Sequence, residues 1–577
     1  MVIAPFPGME NYQIVAIFRD IASMLAINGE NRFRISAYER AAANIEAMGE
    51  PLESFVKEDR LREIPGIGHD LAEKIKEFAA TGKIASYEEL RRKTPEGLRL
   101  LMEVPTIGPK TAKFLFDTFK IKNVDELERA IAAGKLRGVS GMKEKTLSNI
   151  AAGIAVYRKG RQRMTLAEAD QVAEEFVKAL RTVPGVRELV PSGSLRRRKE
   201  TVGDVDILAV SEKPADLMRA FTTLSLVGEV LARGEKKSSV RTRQGIQVDC
   251  RMTEKASFGA AILYFTGSKE FNVKLRQMAI RKGWKLNEYG IFKGERMLAG
   301  ATEEEMLGRL GLPFIDPELR EDTGEVEAAL EGKLPRLLTR QDIKGDLHVH
   351  SHWSDGSNSI EEMATAGRRL GYSYIASTDH SQSLRIAGGL GAAELRKKKR
   401  EIDRLNAKLK GFRVLYGTEV DIDAEGGLDY DDSVLREFDV VVAALHGGFK
   451  QPRRRLTARI VAACRNKYVH IIAHPTGRLR GSREEYDLDF PEIFKAARDT
   501  NTCLEINAFP GRLDLNDRHS RAASAAGVKL AVDTDSHLIS QMENMAYGVA
   551  VARRAWLTAG DVINTLPCDR LLEAIRK

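Results

Sequence analysis

The chain has 577 residues, 43% of them apolar, with a net charge of +9 and a pI near 9.1. That length suits about four domains of roughly 150 residues, and no apolar run reaches the ~18 residues of a membrane span, which argues against a membrane protein. The basic balance favours a polyanionic partner. Four scattered cysteines (Cys250, Cys464, Cys503, Cys568) form no CxxC pair, which suggests free thiols in a reducing cytoplasm. The opening MVIAPFPGMENYQ lacks the basic-then-apolar pattern of a signal peptide.

Residues 1 to about 160 read as helical, with apolar positions at helical spacing in NYQIVAIFRDIASMLAI and RISAYERAAANIEAM. Within them LREIPGIGHDLAEKI (61–75) and LMEVPTIGPKTAKFL (101–115) share one layout: a helix end, a glycine turn, then a second helix. Gly66 and Gly68 permit the first turn and Gly108 the second. Backbone N–H groups at such a turn can hold a phosphate oxygen. The pair resembles the helix–hairpin–helix motif, which grips DNA backbones without reading sequence. LRGVSGMKEKTLSNI (136–150) is a weaker third copy.

Residues 187–211 change character to strand, glycine turn, basic loop, strand. In GSLRRRKETVGDVDILAV (193–210), Asp204 and Asp206 alternate, so a strand presents both carboxylates on one face. Asp249, in the later apolar run IQVDCRM, can supply the third carboxylate of a two-metal site suited to Mg²⁺. Gly193 and Ser194 begin a turn that can donate to a phosphate, and an arginine of Arg196, Arg197 and Arg198 can neutralise a triphosphate. This layout resembles the nucleotidyltransferase superfamily.

The run LYFTGSKEFNVKLRQMAIRKGWKLNEYGIF (263–292) resembles the nucleotide-binding region of family X DNA polymerases. The resemblance implies that Tyr264 and Phe265 lie against the incoming sugar and exclude a 2′-hydroxyl, with Gly267 and Ser268 in the following turn. It implies that Asn272 contacts the base or minor groove, that Arg276 contacts the template strand, and that Asn287, Glu288 and Tyr289 form the element after it. Residues RISAYERAA and AEKIKEFAATGKI resemble the family's small lyase domain. Lys74 there matches the nucleophile that forms a Schiff base with an abasic sugar, and Arg34 and Tyr38 match neighbouring DNA contacts. A second family lysine is replaced by Asp70, which adds negative charge beside that site. Val202 and Gln247 replace a hydroxyl residue and an arginine found in animal members; neither removes a metal ligand.

Residues 316–340 (DPELREDTGEVEAALEGKLPRLLTR) are polar with prolines near both ends, the composition of a linker. Beyond 341, short apolar runs such as YSYIAST, FRVLYGTEV and FDVVVAALHG alternate with helical stretches, the pattern of an α/β barrel with its chemistry at the strand ends. Those ends carry His348, His350, Asp355, His380, Glu419, His446, His474, Asp535 and His537. Nine nitrogen and oxygen ligands are too many for one tetrahedral site and suit two or three Zn²⁺ or Mn²⁺ ions bridged by a carboxylate, Glu419. All nine match ligand positions of the PHP (polymerase and histidinol phosphatase) domain, a distorted (β/α)7 barrel. His352, His470 and His519 match none and read as structural. Asp379 and Glu505 read as partners that orient ligands, and Arg478 as either a phosphate contact or an exposed arginine.

The expected organisation is a multidomain chain: a lyase-like helical domain (1–85), a second helix–hairpin–helix domain (86–160), an α+β nucleotidyltransferase palm (161–252), a nucleotide-selecting subdomain (253–315), the linker (316–340) and the PHP barrel (341–577). The resemblance implies a gap-filling DNA polymerase using Mg²⁺ or Mn²⁺, dNTPs and gapped or primer-template DNA, joined to a 3′–5′ exonuclease or 3′-end phosphoesterase. The implied setting is a cytoplasmic, nucleoid-associated monomer. Two rivals are a DNA-bound phosphoesterase on a non-catalytic polymerase platform and a small-molecule phosphatase.

Overall fold

The computed structural model describes residues 11–46, 52–94, 96–102, 104, 106–139, 142, 144–161 and 163–577. Up to Arg161 the described residues are helical, with two apolar cores. One core gathers Ile14, Phe18, Tyr38 and Ile75. The other gathers Leu101, Ile107, Leu115 and Leu127. Ser140, Gly141 and Lys143 of the weaker third hairpin lie outside the described residues.

The region expected to be the palm, called the palm below, is a five-stranded sheet in the order Val186–Pro191, Val205–Ser211, Gln247–Met252, Lys237–Thr242, Val227–Ala232. The helix Leu166–Arg181 is set by a capping box in which Thr165 and Glu168 satisfy each other's end groups, and it buries Phe176 and Leu180 on this sheet. Beyond it stand the helices Phe258–Thr266 and Lys269–Arg281 and a three-stranded antiparallel sheet over 285–299.

Residues 316–340 depart from the linker expectation. Leu319, Val326, Ala329 and Leu337 complete the core of the preceding subdomain, and Glu325–Leu330 is a helix. Arg320 is fully buried and pairs with Glu303. Arg320 and Glu325 are thus satisfied inside the fold rather than by water, which composition does not reveal.

The C-terminal unit is a sheet of seven parallel strands in chain order, from Gly345–Val349 to Leu530–Asp533. A parallel bridge between Val349 and Ser536 brings its two edges together, so the barrel is nearly closed. The strands are buried on both faces, which is why they read as continuous apolar runs rather than alternating ones. No helix among the described residues is long and apolar enough to cross a membrane, and the four cysteines are free.

Candidate functional site

Among the described residues, two clusters of metal-type side chains stand out, one on the five-stranded sheet and one in the barrel. On the palm, Asp206 and Asp249 are register partners on parallel neighbouring strands. Asp204 precedes the first strand by one residue, and an oxygen from each of the three lies within 4.8 Å of the others. Burial, followed by the adjacent Asp204 carboxylate, pushes Asp206 up to about 6. Burial also raises Asp249, but donors led by Lys237 outweigh it and hold that carboxyl low. Lys237 Nζ sits 2.6 Å from Asp249, and Gln247 donates to its Oδ1 at 3.1 Å, so the glutamine keeps a donor on the third carboxylate. Arg251 lies 3.8 Å from Asp206 and 3.7 Å from Asp249, with its guanidinium 4.7 Å from the Phe265 ring. Arg251 is two residues past Asp249, so period-two spacing could have found it. Lys237 is placed only by strand pairing.

Gly193 adopts φ +64°, and a Cβ there would stand 2.8 Å from Asp206 Oδ2, so the turn beside the carboxylates requires glycine. Arg196 pairs with Glu303, Arg197 donates through Nε to Glu321 at 3.0 Å and through Nη1 to the Thr266 carbonyl, and Arg198 pairs with Asp170 at 2.7 Å. The basic loop is thus ordered by internal ion pairs instead of projecting freely. Among the described residues Arg197 Nη2 takes no protein acceptor. Tyr264 and Phe265 end the helix Phe258–Thr266, edge to face at 5.2 Å. Asn272 donates to the Tyr264 carbonyl at 2.7 Å, leaving its Oδ1 buried and unpartnered. Arg276 donates to the Asn272 carbonyl at 3.3 Å. Ser268 caps the next helix, and Asn287 accepts from the N–H groups of Tyr289 and Gly290.

In the helical region Gly66 has φ +77°, and Gly68 and Gly108 are the N-caps of the helices His69–Thr81 and Pro109–Phe119. Neither cap has a side-chain acceptor, so the first-turn N–H groups stay open to another oxygen. Lys74 pairs with Asp70 at 2.6 Å. Tyr38 is buried edge-on to Phe18, and burial, partly opposed by Lys74, raises its hydroxyl. Arg34 is exposed and 3.4 Å from Glu30.

The barrel brings the nine candidate ligands together at its strand ends. His350, Asp355, His380 and His537 form one group, His348, His350 and Asp535 a second, and His380, Glu419 and His446 a third. Glu419 is the hub: its oxygens lie 3.5 Å from His348, 3.6 Å from His350, 2.8 Å from His380, 3.3 Å from His446 and 3.0 Å from His474. Behind them Glu505 meets His348 Nδ1 at 2.7 Å and Asp421 meets His446 Nδ1, each turning the other ring nitrogen inward. Asp421 was not singled out by the sequence, although it lies two residues from Glu419.

The nitrogens facing the centre fit a cation. His348 Nε2 and both ring nitrogens of His350 are buried without a hydrogen-bond partner, which a protein seldom tolerates unless another atom completes them. The nitrogen and carboxylate set, two side chains of which belong to two groups each, suits more than one ion. Burial lowers His380, but Glu419 and Asp355 outweigh it and raise the ring to about 10, a measure of how strongly this pocket draws positive charge.

The remaining sequence-marked residues support this site or the fold. Asp379 accepts from Ser351, Ser354 and Ser377 and pairs with the fully buried Lys398 at 2.8 Å. Burial pushes the Lys398 ammonium down, and Asp379 opposes that. Lys398→Met is expected to destabilise the barrel by about 3–5 kcal/mol, because it leaves a carboxylate buried and uncompensated. The reading is the midpoint of the barrel's thermal transition, and a midpoint equal to wild type would refute it. His470 accepts from the Val441 N–H, His519 stacks on Phe490, and His352 lies against Trp353. Arg478 is neither exposed nor open to a phosphate: it is buried and pairs with Glu200 and Glu485.

Comparison with known proteins finds matches in both the N-terminal and the C-terminal part of the chain. Family models match a helix-hairpin-helix domain at residues 9–84, a SAM-like helix-hairpin-helix tandem at 98–155, a DNA polymerase beta thumb at 261–321 and a PHP domain at 346–508. The chain is 38% identical over 560 residues to the DNA polymerase/3'-5' exonuclease PolX of Bacillus subtilis (strain 168), covering 96% of this chain and 97% of that one. The chain belongs to the PolX family of DNA polymerases with a PHP domain. Two further relatives match part of the chain. DNA polymerase lambda of Arabidopsis thaliana is 27% identical over 54% of this chain and 62% of its own length. A probable phosphatase of Thermoanaerobacter sp. (strain X514) is 30% identical over 38% of this chain and 89% of its own.

Proposed function

We propose that the chain fills short gaps in DNA by template-directed nucleotide addition and trims DNA 3′ ends in its PHP barrel. The observation that carries the reading is the coexistence of the Asp204, Asp206 and Asp249 triad with a barrel cluster of eight grouped ligands and His474 beside Glu419 in one chain. Similarity to a full-length relative named for both activities supports it.

At the palm, Mg²⁺ or Mn²⁺ held by the three aspartates would supply charge neutralisation for the triphosphate and a more acidic primer 3′-hydroxyl. The 3′-oxygen attacks the α-phosphorus and pyrophosphate leaves. Gly193 N–H, Ser194 and Arg197 Nη2 offer donors to the phosphates. The Tyr264–Phe265 pair closes the space where a ribose 2′-hydroxyl would stand, and Asn272 and Arg276 face the base and template. The open hairpin N–H groups around Gly66, Gly68 and Gly108 hold DNA backbone, and Arg34 and Tyr38 are further DNA contacts. In the barrel, two or three Zn²⁺ or Mn²⁺ ions would supply Lewis acidity at the scissile phosphate. The setting we propose is cytoplasmic and nucleoid-associated, with the chain working as a monomer on gapped or primer-template DNA.

The lyase activity rests on Lys74, whose amine is engaged by Asp70. Attack on an abasic sugar requires that contact to break. Borohydride trapping on abasic DNA is therefore expected to be weak in the wild type, stronger in Asp70→Ala and absent in Lys74→Ala. Equal trapping by Lys74→Ala and wild type would remove Lys74 from this role.

The deciding experiment is a gel assay on a 5′-labelled primer in a one-nucleotide gap, with Mg²⁺ or Mn²⁺, with and without dNTPs. Extension with dNTPs and shortening without them is expected. No extension under either metal would leave a DNA-bound phosphoesterase. No shortening would leave the barrel without its proposed substrate.

A further inference from the structure

One barrel helix, Met545–Arg554, belongs to both halves of the molecule. On one side Ala550 is buried in the palm core with Tyr547 packed beside it. On the other, Gly548 lies so close to Val532 and Ala508 of the barrel that a Cβ would fall 2.6 Å and 2.8 Å from them. Its last residue, Arg554, has a side chain only 5% exposed. Arg554 Nη1 donates to the Arg197 carbonyl at 2.8 Å and to Glu321 Oε1 at 3.0 Å, and Nε donates to Asp517 at 2.8 Å. Glu321 in turn holds Arg197 Nε, and Arg197 Nη1 holds the Thr266 carbonyl, one residue past Phe265.

These contacts form a chain from the barrel to the nucleotide-selecting turn: Asp517, Arg554, Glu321, Arg197, Thr266. Most of its links are charge-assisted, and no side chain in the Asp517–Arg197 ion pairs is more than 22% exposed, so solvent screens the chain weakly. Two guanidiniums share Glu321, with Lys199 a further 3.7 Å contact. Arg554 also satisfies the backbone of the very residue whose side chain has one nitrogen left over. Without Arg554, Glu321 keeps only Arg197 and Lys199, and the Arg197 carbonyl loses a buried donor.

We propose that Arg554, a residue of the phosphoesterase barrel, is a positioning residue for the polymerase. It fixes Glu321 and the Arg197 backbone, and so presents the Arg197 guanidinium and the Ser194 turn to the nucleoside triphosphate. This rests on the polymerase reading above. It means that the barrel supports nucleotide binding through a defined contact, separate from its own hydrolytic site.

The test uses the full-length chain as wild type, Arg554→Met, Arg554→Lys and Glu321→Gln. Single-nucleotide gap filling is measured against dNTP and against gapped DNA, alongside 3′ trimming without dNTP. In Arg554→Met the KM for dNTP is expected to rise roughly tenfold, the scale of one charge-assisted hydrogen bond. The kcat, the KM for DNA and the trimming rate are expected to stay within about twofold, since none of the broken contacts touches a barrel ligand. Arg554→Lys should recover part of the loss, and Glu321→Gln should raise the same KM. A wild-type dNTP KM in Arg554→Met would overturn the proposal. So would a parallel loss of trimming, DNA affinity and dNTP affinity, which would report general disruption. If the wild type adds no nucleotide, the polymerase reading itself falls and takes this inference with it; extension by the wild type with an unchanged variant sinks the inference alone.

Discussion

Asp206→Asn is expected to reduce nucleotide addition in a one-nucleotide gap by about a thousandfold or more, while 3′ trimming by the barrel continues. Asp206 stands in register with Asp249 on parallel strands and shares a cluster with Asp204. A two-cation site depends on carboxylates that can be shared, and asparagine offers one neutral oxygen in the same volume; a loss of this size follows from removing charge where the transition state needs it. The fold should tolerate the change. Burial and Asp204 already disfavour the charged form of Asp206, so the neutral amide relieves a local repulsion. Primer extension under saturating dNTP gives the result, and a variant retaining a tenth or more of wild-type extension would show that Asp206 is not a required ligand.

Glu419→Gln is expected to produce the opposite phenotype: 3′ trimming falls by about a thousandfold or more, while gap filling is retained. Glu419 is 1% exposed and reaches five imidazoles, so a neutral amide weakens every group it serves. Metal analysis of the purified variant supplies a second reading, because loss of the central charge lowers the cation content of the barrel. Trimming at the wild-type rate with an undiminished metal content would exclude Glu419 as the bridge. Together the two variants separate the activities: one that lost both would mean that the sites are not independent.

Much of the chemistry could be read before any coordinates, because it is local. The spacing of Asp204 and Asp206 places two carboxylates together on any extended backbone, and a histidine or acid at the end of an apolar run marks the functional rim of a parallel barrel. The glycine hairpins at 61–75 and 101–115 were equally legible, since a turn next to a helix start is encoded within a few residues. What misled was charge. The stretch 316–340 looked solvated, yet Arg320 and Glu325 are fully buried. The basic loop reads as solvated, yet Arg196 and Arg197 are held by acids more than 100 residues away. Composition records how many charges a segment has and not whether water or a distant partner satisfies them.

The sequence by itself determined the kinds of ligand, the local turns and the two parallel chemistries, because each depends on residues near one another along the chain. The tertiary structure alone decided how they are held. Strand pairing set Lys237 on Asp249, barrel closure gathered five imidazoles around Glu419, and the helix Met545–Arg554 tied the barrel to the Arg197 loop. A charge-assisted hydrogen bond between residues 357 positions apart leaves no periodic trace in either segment, since its energy depends on a distance that exists only once the chain has folded.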